Sequence, residues 1–129
     1  MFVRFVVGVR DDRSDQEQGI FTALYDLQSR GELLPYECDW FRATEAWFNA
    51  NLRGPDRLAW SSRPHAPNRA ISWLKLTATD HVAKMRELAA LLKHKDVLVR
   101  ELRTDRPGYA VYEDEHQVAA IPFSQETFD

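Results

Sequence analysis

From Arg53 to Arg69 the chain reads RGPDRLAWSSRPHAPNR, and no helical or strand period survives in it. Proline removes a backbone donor and pushes the preceding residue out of the helical region, so Pro55, Pro64 and Pro67 block regular structure here. Irregular connections of this length inside a compact domain are uncommon, and serve function or stay disordered. The fold therefore has to be built by the residues on either side, with 53–69 as a long irregular loop and the first place to look for a site.

Before the loop, Val3, Phe5, Val7 and Val9 alternate along Phe2 to Val9, and Phe2, Val6 and Gly8 make the other face partly apolar. Apolar character on both faces suits an interior strand. Gly8 marks a bulge or a close helix approach. Ser14 to Glu17 carries a capping-box pattern, and Ile20, Phe21, Leu24, Tyr25 and Leu27 lie at helical spacing, so a helix is expected over 15–30 with Gly31 as its C-cap. Gly19 inside that helix implies close packing. Pro35 opens a second helix running to about Leu52. Its apolar stripe is expected from Tyr36, Trp40 and Trp47 beside Phe41, Phe48 and Leu52, with Glu37, Arg42, Glu45 and Asn49 on the polar side. That stripe reads as core packing first and as a stacking platform for a flat ligand second.

After the loop, a strand over 70–76 leads into a helix over 79–94, opened by a box from Thr77 to Asp80. Lys93, His94 and Lys95 suit the negative end of that helix. A strand at 97–103, a turn at Asp105–Gly108 and a hairpin of 109–113 with 117–121 complete the order β-α-α-β-α-β-β-β, before a loose acidic tail over 123–129. The expectation is a single α+β domain over 1–129, with a mixed five-stranded sheet and helices largely on one face. Helical crossovers join parallel strands in this reading, and the last three strands form an antiparallel meander. A ferredoxin-like arrangement is the alternative.

The 129 residues, 44% apolar and 29% charged, have the balance of a globular chain. A net charge of −3 opposes a dedicated nucleic-acid binder. The charge is uneven: four arginines against one aspartate give 53–69 a net +3, which leaves −6 elsewhere. Residues 113–129 hold five acids and no lysine or arginine. Cys38 is the only cysteine, so an intramolecular disulfide is excluded and a thiolate zinc set is not available. Flanked by the acids Glu37 and Asp39, it is not expected to serve as a catalytic thiol. No apolar run reaches the length of a signal peptide core or a membrane span, and a cytoplasmic location is the default.

Three clusters could carry chemistry. Arg57, Trp60, Arg63, His65 and Arg69 could form an anion pocket, since guanidinium forks grip carboxylates and phosphates and the rings can stack. The competing reading pairs these arginines with the acidic segment 113–129. Glu113, Glu115 and His116, with Asp114 between them, could act as acid and base or hold a cation, but residues at a hairpin tip are ordinarily solvated turn formers. The histidines form no metal-ligand spacing, so no metal site and no cofactor are expected, and no nucleotide-binding or nucleophile-elbow motif is present.

MFVRFVVG at the start, Trp47-Phe48-Asn49 at a helix end, and PGYAVYEDEHQVAAIPF near the end of the chain together resemble a family of small, uncharacterised bacterial proteins. The resemblance implies a bacterial single domain and transfers no activity. The expectation is a non-catalytic binding or regulatory module using 53–69, with an acidic protein partner or self-association. An enzyme on a small anionic substrate, with the hairpin residues as acid–base groups, is the alternative. A nucleotide or single-stranded nucleic-acid binder is the third reading.

Overall fold

The computed structural model describes residues 1–11, 16–52 and 70–123. The elements run β1 (Phe2–Asp11), β2 (Gln16–Gly19), α1 (Ile20–Ser29), α2 (Pro35–Asn51), β3 (Ile71–Lys75), α3 (Thr79–His94), β4 (Val99–Thr104), β5 (Tyr109–Glu113) and β6 (Gln117–Ile121). The α+β class and the order of the expected elements stand, with β2 added as a short extra strand.

All described strand pairs are antiparallel, so the expected mixed sheet is corrected. Phe2 and Val3 pair with β3 and with β4 at once, which places those strands on opposite edges of β1. The order across the sheet is therefore β4-β1-β3-β6-β5, and β2 shares the β3 edge of β1 further along. β3 and β4 run in the same direction around α3, but β1 lies between them and opposes both. The crossover is a split β-α-β unit rather than a bonded parallel pair. The expected closing meander is likewise replaced: β5 and β6 form the hairpin, while β4 sits at the far edge.

Only residues 105–108 link β4 to β5. Four strand spacings of about 4.8 Å in a flat sheet would exceed the reach of that link, at most about 3.6 Å per residue. The sheet therefore coils, and its concave side buries Trp73, Val118 and Ala120 against Phe2, Ile71 and Leu102. The convex side carries all three helices. There Val3, Phe5 and Val7 of β1, Leu74 and Val99 meet Leu24 and Leu27 of α1, Phe41 and Phe48 of α2, and Leu88 and Leu92 of α3. β1 is thus the interior strand its two-sided pattern indicates.

One of the two expected readings of Gly8 holds, and Gly19 changes role. Gly8 lies where the β1–β2 register shifts between Val6 and Arg10, so it marks a bulge, and no atom approaches closely enough to require a missing Cβ. Gly19 is the N-cap of α1, outside the helix, with open space around it. The helix expected from residue 15 begins at Ile20, because Gln16 to Gly19 pair with β1 instead. At its other end Gly31 has φ 72°; its N–H donates to Gln28 and that of Glu32 to Leu27, the two bonds of a Schellman close. α3 ends the same way on Asp96, at φ 64°. Its N-cap is Ala78, so the expected box from Thr77 is absent.

The buried line of α2 is Glu37, Phe41, Thr44 and Phe48, turned one residue from the expected Tyr36, Trp40 and Trp47 line. Tyr36 is 69% exposed, while Trp40 and Trp47 pack on the core's margin. Glu37, expected outside, is inside. Its carboxylate accepts the Leu34 N–H at 2.7 Å and pairs with Lys95 at 2.8 Å, joining the start of α2 to the end of α3. The hydrogen bond from Lys95 and then that from Leu34 hold its carboxyl below the usual range.

Candidate functional site

The β5–β6 turn is built around Asp114. One carboxylate oxygen accepts the N–H groups of His116 at 2.8 Å and Gln117 at 3.0 Å. The other accepts the Tyr112 hydroxyl at 2.6 Å and the Gln117 side-chain amide at 3.3 Å. Burial works to raise this carboxyl, but the bonds from Tyr112, the His116 N–H and Gln117 outweigh it and hold the group below its ordinary value. Aspartate at a turn does this because its short side chain reaches its own downstream N–H groups. The turn is also tied to β3, since the Lys75 N–H donates to the His116 carbonyl at 2.8 Å.

Opposite the turn, α2 ends at Asn51 with unsatisfied carbonyls, as every helix does. His81, in the first turn of α3 and 5% exposed, places Nε2 at 2.8 Å from the Asn51 carbonyl, where the N–H of that ring nitrogen is the donor. Its ring lies 4.7 Å from Trp47 and stacks on His116 at 4.4 Å. Lys84 covers Trp47 at 4.9 Å, so a cation and three rings form a continuous row from α3 to the turn. His81 was invisible as a site residue in the sequence, where its only apparent relation was to His94 along the same helix.

Between the turn and the end of α2 lies a cleft of about 700 Å³, lined by Asn49, Ala50, Asn51 and Leu52 on one wall and by Tyr112, Asp114, Glu115 and His116 on the other. That volume is in the range of small-molecule sites. Among the described residues its lining includes two carboxylates and the carbonyl end of a helix, and no lysine or arginine. The helix dipole adds its negative end to the carboxylates, so the cleft is an acceptor-rich, electronegative space.

The proposed acid–base set only partly meets. His116 Nε2 lies 3.3 Å from Glu115, which is exposed. Glu113 pairs instead with Lys75 at 2.6 Å and does not line the cleft. Two acids outside the turn are engaged elsewhere: Glu37 holds Lys95, and Glu101 takes a two-pronged contact from Arg86 together with Arg103. Arg57, Trp60, Arg63, His65 and Arg69 lie outside the described residues, as does any pairing between 53–69 and the acidic tail. Cys38 is half-buried against the core, with Sγ 3.9 Å from the Leu33 carbonyl. Among the described residues no group of three or more histidine, cysteine or acidic side chains is arranged to hold a metal, and no helix is long and apolar enough to cross a membrane. Comparison with protein-family models, with curated proteins and with solved structures gives no match.

Proposed function

We propose that this domain is a non-catalytic binding module that takes a cationic, donor-rich group into the cleft between the end of α2 and the β5–β6 turn. The observation that carries the reading is the composition of the walls: the Asp114 and Glu115 carboxylates, the carbonyl end of α2 and the His116 ring, with no lysine or arginine among the described lining residues. An ammonium or guanidinium group gains from each of these, and a planar guanidinium can also lie against an aromatic face. Asp114 contributes charge rather than open lone pairs, because four donors already engage it. Glu115 is the carboxylate placed to meet a ligand.

The separation of the carboxylates favours binding over acid–base catalysis. General acid–base work needs its groups within hydrogen-bond reach of one reacting centre, and Glu113 is engaged with Lys75 away from the cleft wall. A phosphate-bearing ligand would meet like charge in this cleft.

Thermal-shift titration with agmatine and spermidine, against inorganic phosphate and AMP, tests the reading. Agmatine or spermidine is expected to raise the midpoint by mass action, weakening with salt, and Glu115→Lys is expected to abolish the shift. A midpoint raised by the anions and unmoved by the amines would overturn it.

A further inference from the structure

His116 holds two contacts at once. Its ring lies on that of His81, and its Nε2 lies 3.3 Å from the Glu115 carboxylate. The first contact fixes the ring. His81 is 5% exposed and tied to the Asn51 carbonyl, so His116 stays on the cleft wall as long as it stays stacked. The second contact sets the ring beside the one cleft carboxylate open to a ligand. Glu115 is 82% exposed, whereas four donors already engage Asp114. The His116 side chain, 33% exposed, remains within reach of solvent protons.

The groups that surround His116 among the described residues leave Glu115 as its counterion. Its own turn brings Asp114 and Glu115. β5 brings Tyr112, whose hydroxyl is bonded to Asp114, and Glu113, which is paired with Lys75. β3 brings Lys75 itself, whose N–H donates to the His116 carbonyl. β6 opens on Gln117, whose backbone and side-chain N–H groups both go to Asp114. α3 presents His81 and, beyond Trp47, the Lys84 ammonium. α2 presents its negative carbonyl end, where His81 has taken the Asn51 oxygen. Asp114 and Glu113 are committed, and Glu115 is the acid left.

A neutral imidazole leaves the Glu115 charge to a ligand. A protonated one sets a full positive charge against the same carboxylate and against any cation in the cleft. We propose that His116 is a proton-operated gate on this cleft: on taking up a proton it becomes the counterion of Glu115, so the cleft loads an ammonium or guanidinium group near neutral pH and releases it in acid. Histidine is the side chain whose charge ordinarily changes between about pH 5 and 8, while carboxyls ordinarily titrate near pH 4. The carboxylates therefore keep their charge through the window in which the gate works. Because Glu115 is exposed, solvent screens the competition, and the change in affinity is several-fold rather than many orders. The inference rests on the cation-binding reading of the cleft and adds its regulation.

Calorimetric titration of the full chain with agmatine, at about pH 8 and about pH 5.5, tests the gate. Both charged groups of agmatine, of the lysine and arginine type, stay protonated across that range. The parent is expected to bind about 3- to 10-fold more weakly at the lower pH. His116→Gln is expected to bind with one affinity at both, whatever its level. A second measurement needs no variant: at about pH 6.5, in two buffers of different ionisation enthalpy, agmatine binding by the parent is expected to release a fraction of a proton, as reciprocal linkage requires. Equal affinity at the two pH values, a pH dependence that survives in His116→Gln, or binding without proton release overturns the gate alone. No agmatine binding by the parent at either pH overturns the cation-binding reading and the gate with it.

Discussion

The imidazole of His116 stacks on that of His81 at 4.4 Å between ring centroids and 29° between planes, fastening the β5–β6 turn to the first turn of α3. A double-mutant cycle of His81→Ala and His116→Ala is expected to give a coupling of about 0.5–1.5 kcal/mol, the range of aromatic pairs. His81→Ala alone is the more damaging of the two, by about 1–3 kcal/mol, because it strips the Asn51 carbonyl of its partner. Chemical denaturation of the four proteins measures both quantities.

Stability falls in acid through three carboxyls, those of Glu37, Glu101 and Asp114. Each is held low in the fold, by Lys95 for Glu37, by Arg86 for Glu101, and by hydrogen bonds that overcome burial for Asp114. A carboxyl lowered on folding stabilises the native state above its unfolded pKa, about 4 for both residue types. The contribution is lost as pH falls from there through the folded pKa. Urea midpoints between pH 7 and pH 2 are expected to hold above about pH 5 and then decline, with Asp114→Asn showing a shallower decline than the parent.

Gly108 tolerates no side chain. Its φ is 135°, a conformation L-residues rarely adopt, and a Cβ there would be driven into the Ile121 carbonyl oxygen. Gly108→Ala is expected to cost at least about 1–3 kcal/mol from backbone strain alone. A thermal midpoint unchanged from the parent would refute this account of the β4–β5 link.

Asp96 closes α3 in the left-handed region that glycine occupies at Gly31. Asp96→Gly is expected to stabilise the protein by about 0.5–1 kcal/mol, as relief of the Cβ penalty outweighs the added freedom of the unfolded chain. The corresponding Gly31→Asp is expected to destabilise. Both are read from the same denaturation curves.

The Glu37–Lys95 pair joins two helix ends from the inside, whereas Arg30–Glu32 is a surface pair. Glu37→Gln is expected to lower the melting temperature clearly, because it leaves the largely covered Lys95 side chain facing an uncharged partner. Glu32→Gln is expected to leave the melting temperature unchanged within error.

Local chemistry was legible in the sequence and distant pairing was not. The hairpin strands were read to their end residues, because Asp114 carries the turn in its own side chain. Gly31 was read as a helix close for the same reason. Gln16 to Gly19 looked like a helix start because Ser14 and Glu17 have the spacing of a capping box, and the β1 edge that claims these residues is defined only once the chain has folded. Glu37 was placed outside by its charge, since its partner Lys95 lies at the far end of another helix. The directions of β3 and β4 followed a habit of helical crossovers, which fails when a third strand is laid between the two. The meeting of His81 with His116 depends on that same arrangement, and no spacing along the chain announces it.

The lodging of β1 between β3 and β4 has a kinetic consequence. β1 precedes both neighbours in the chain, yet its long edge has nothing to bond until Val99–Thr104 has been made. Such distant closure slows folding and leaves apolar strand edges waiting in the meantime. On the ribosome, Phe2, Val3, Phe5 and Val7 would spend nearly the whole of the domain's synthesis without their final neighbours. β1 waits longest for its neighbour, and it is the segment where a chaperone holding the nascent chain would be expected to sit.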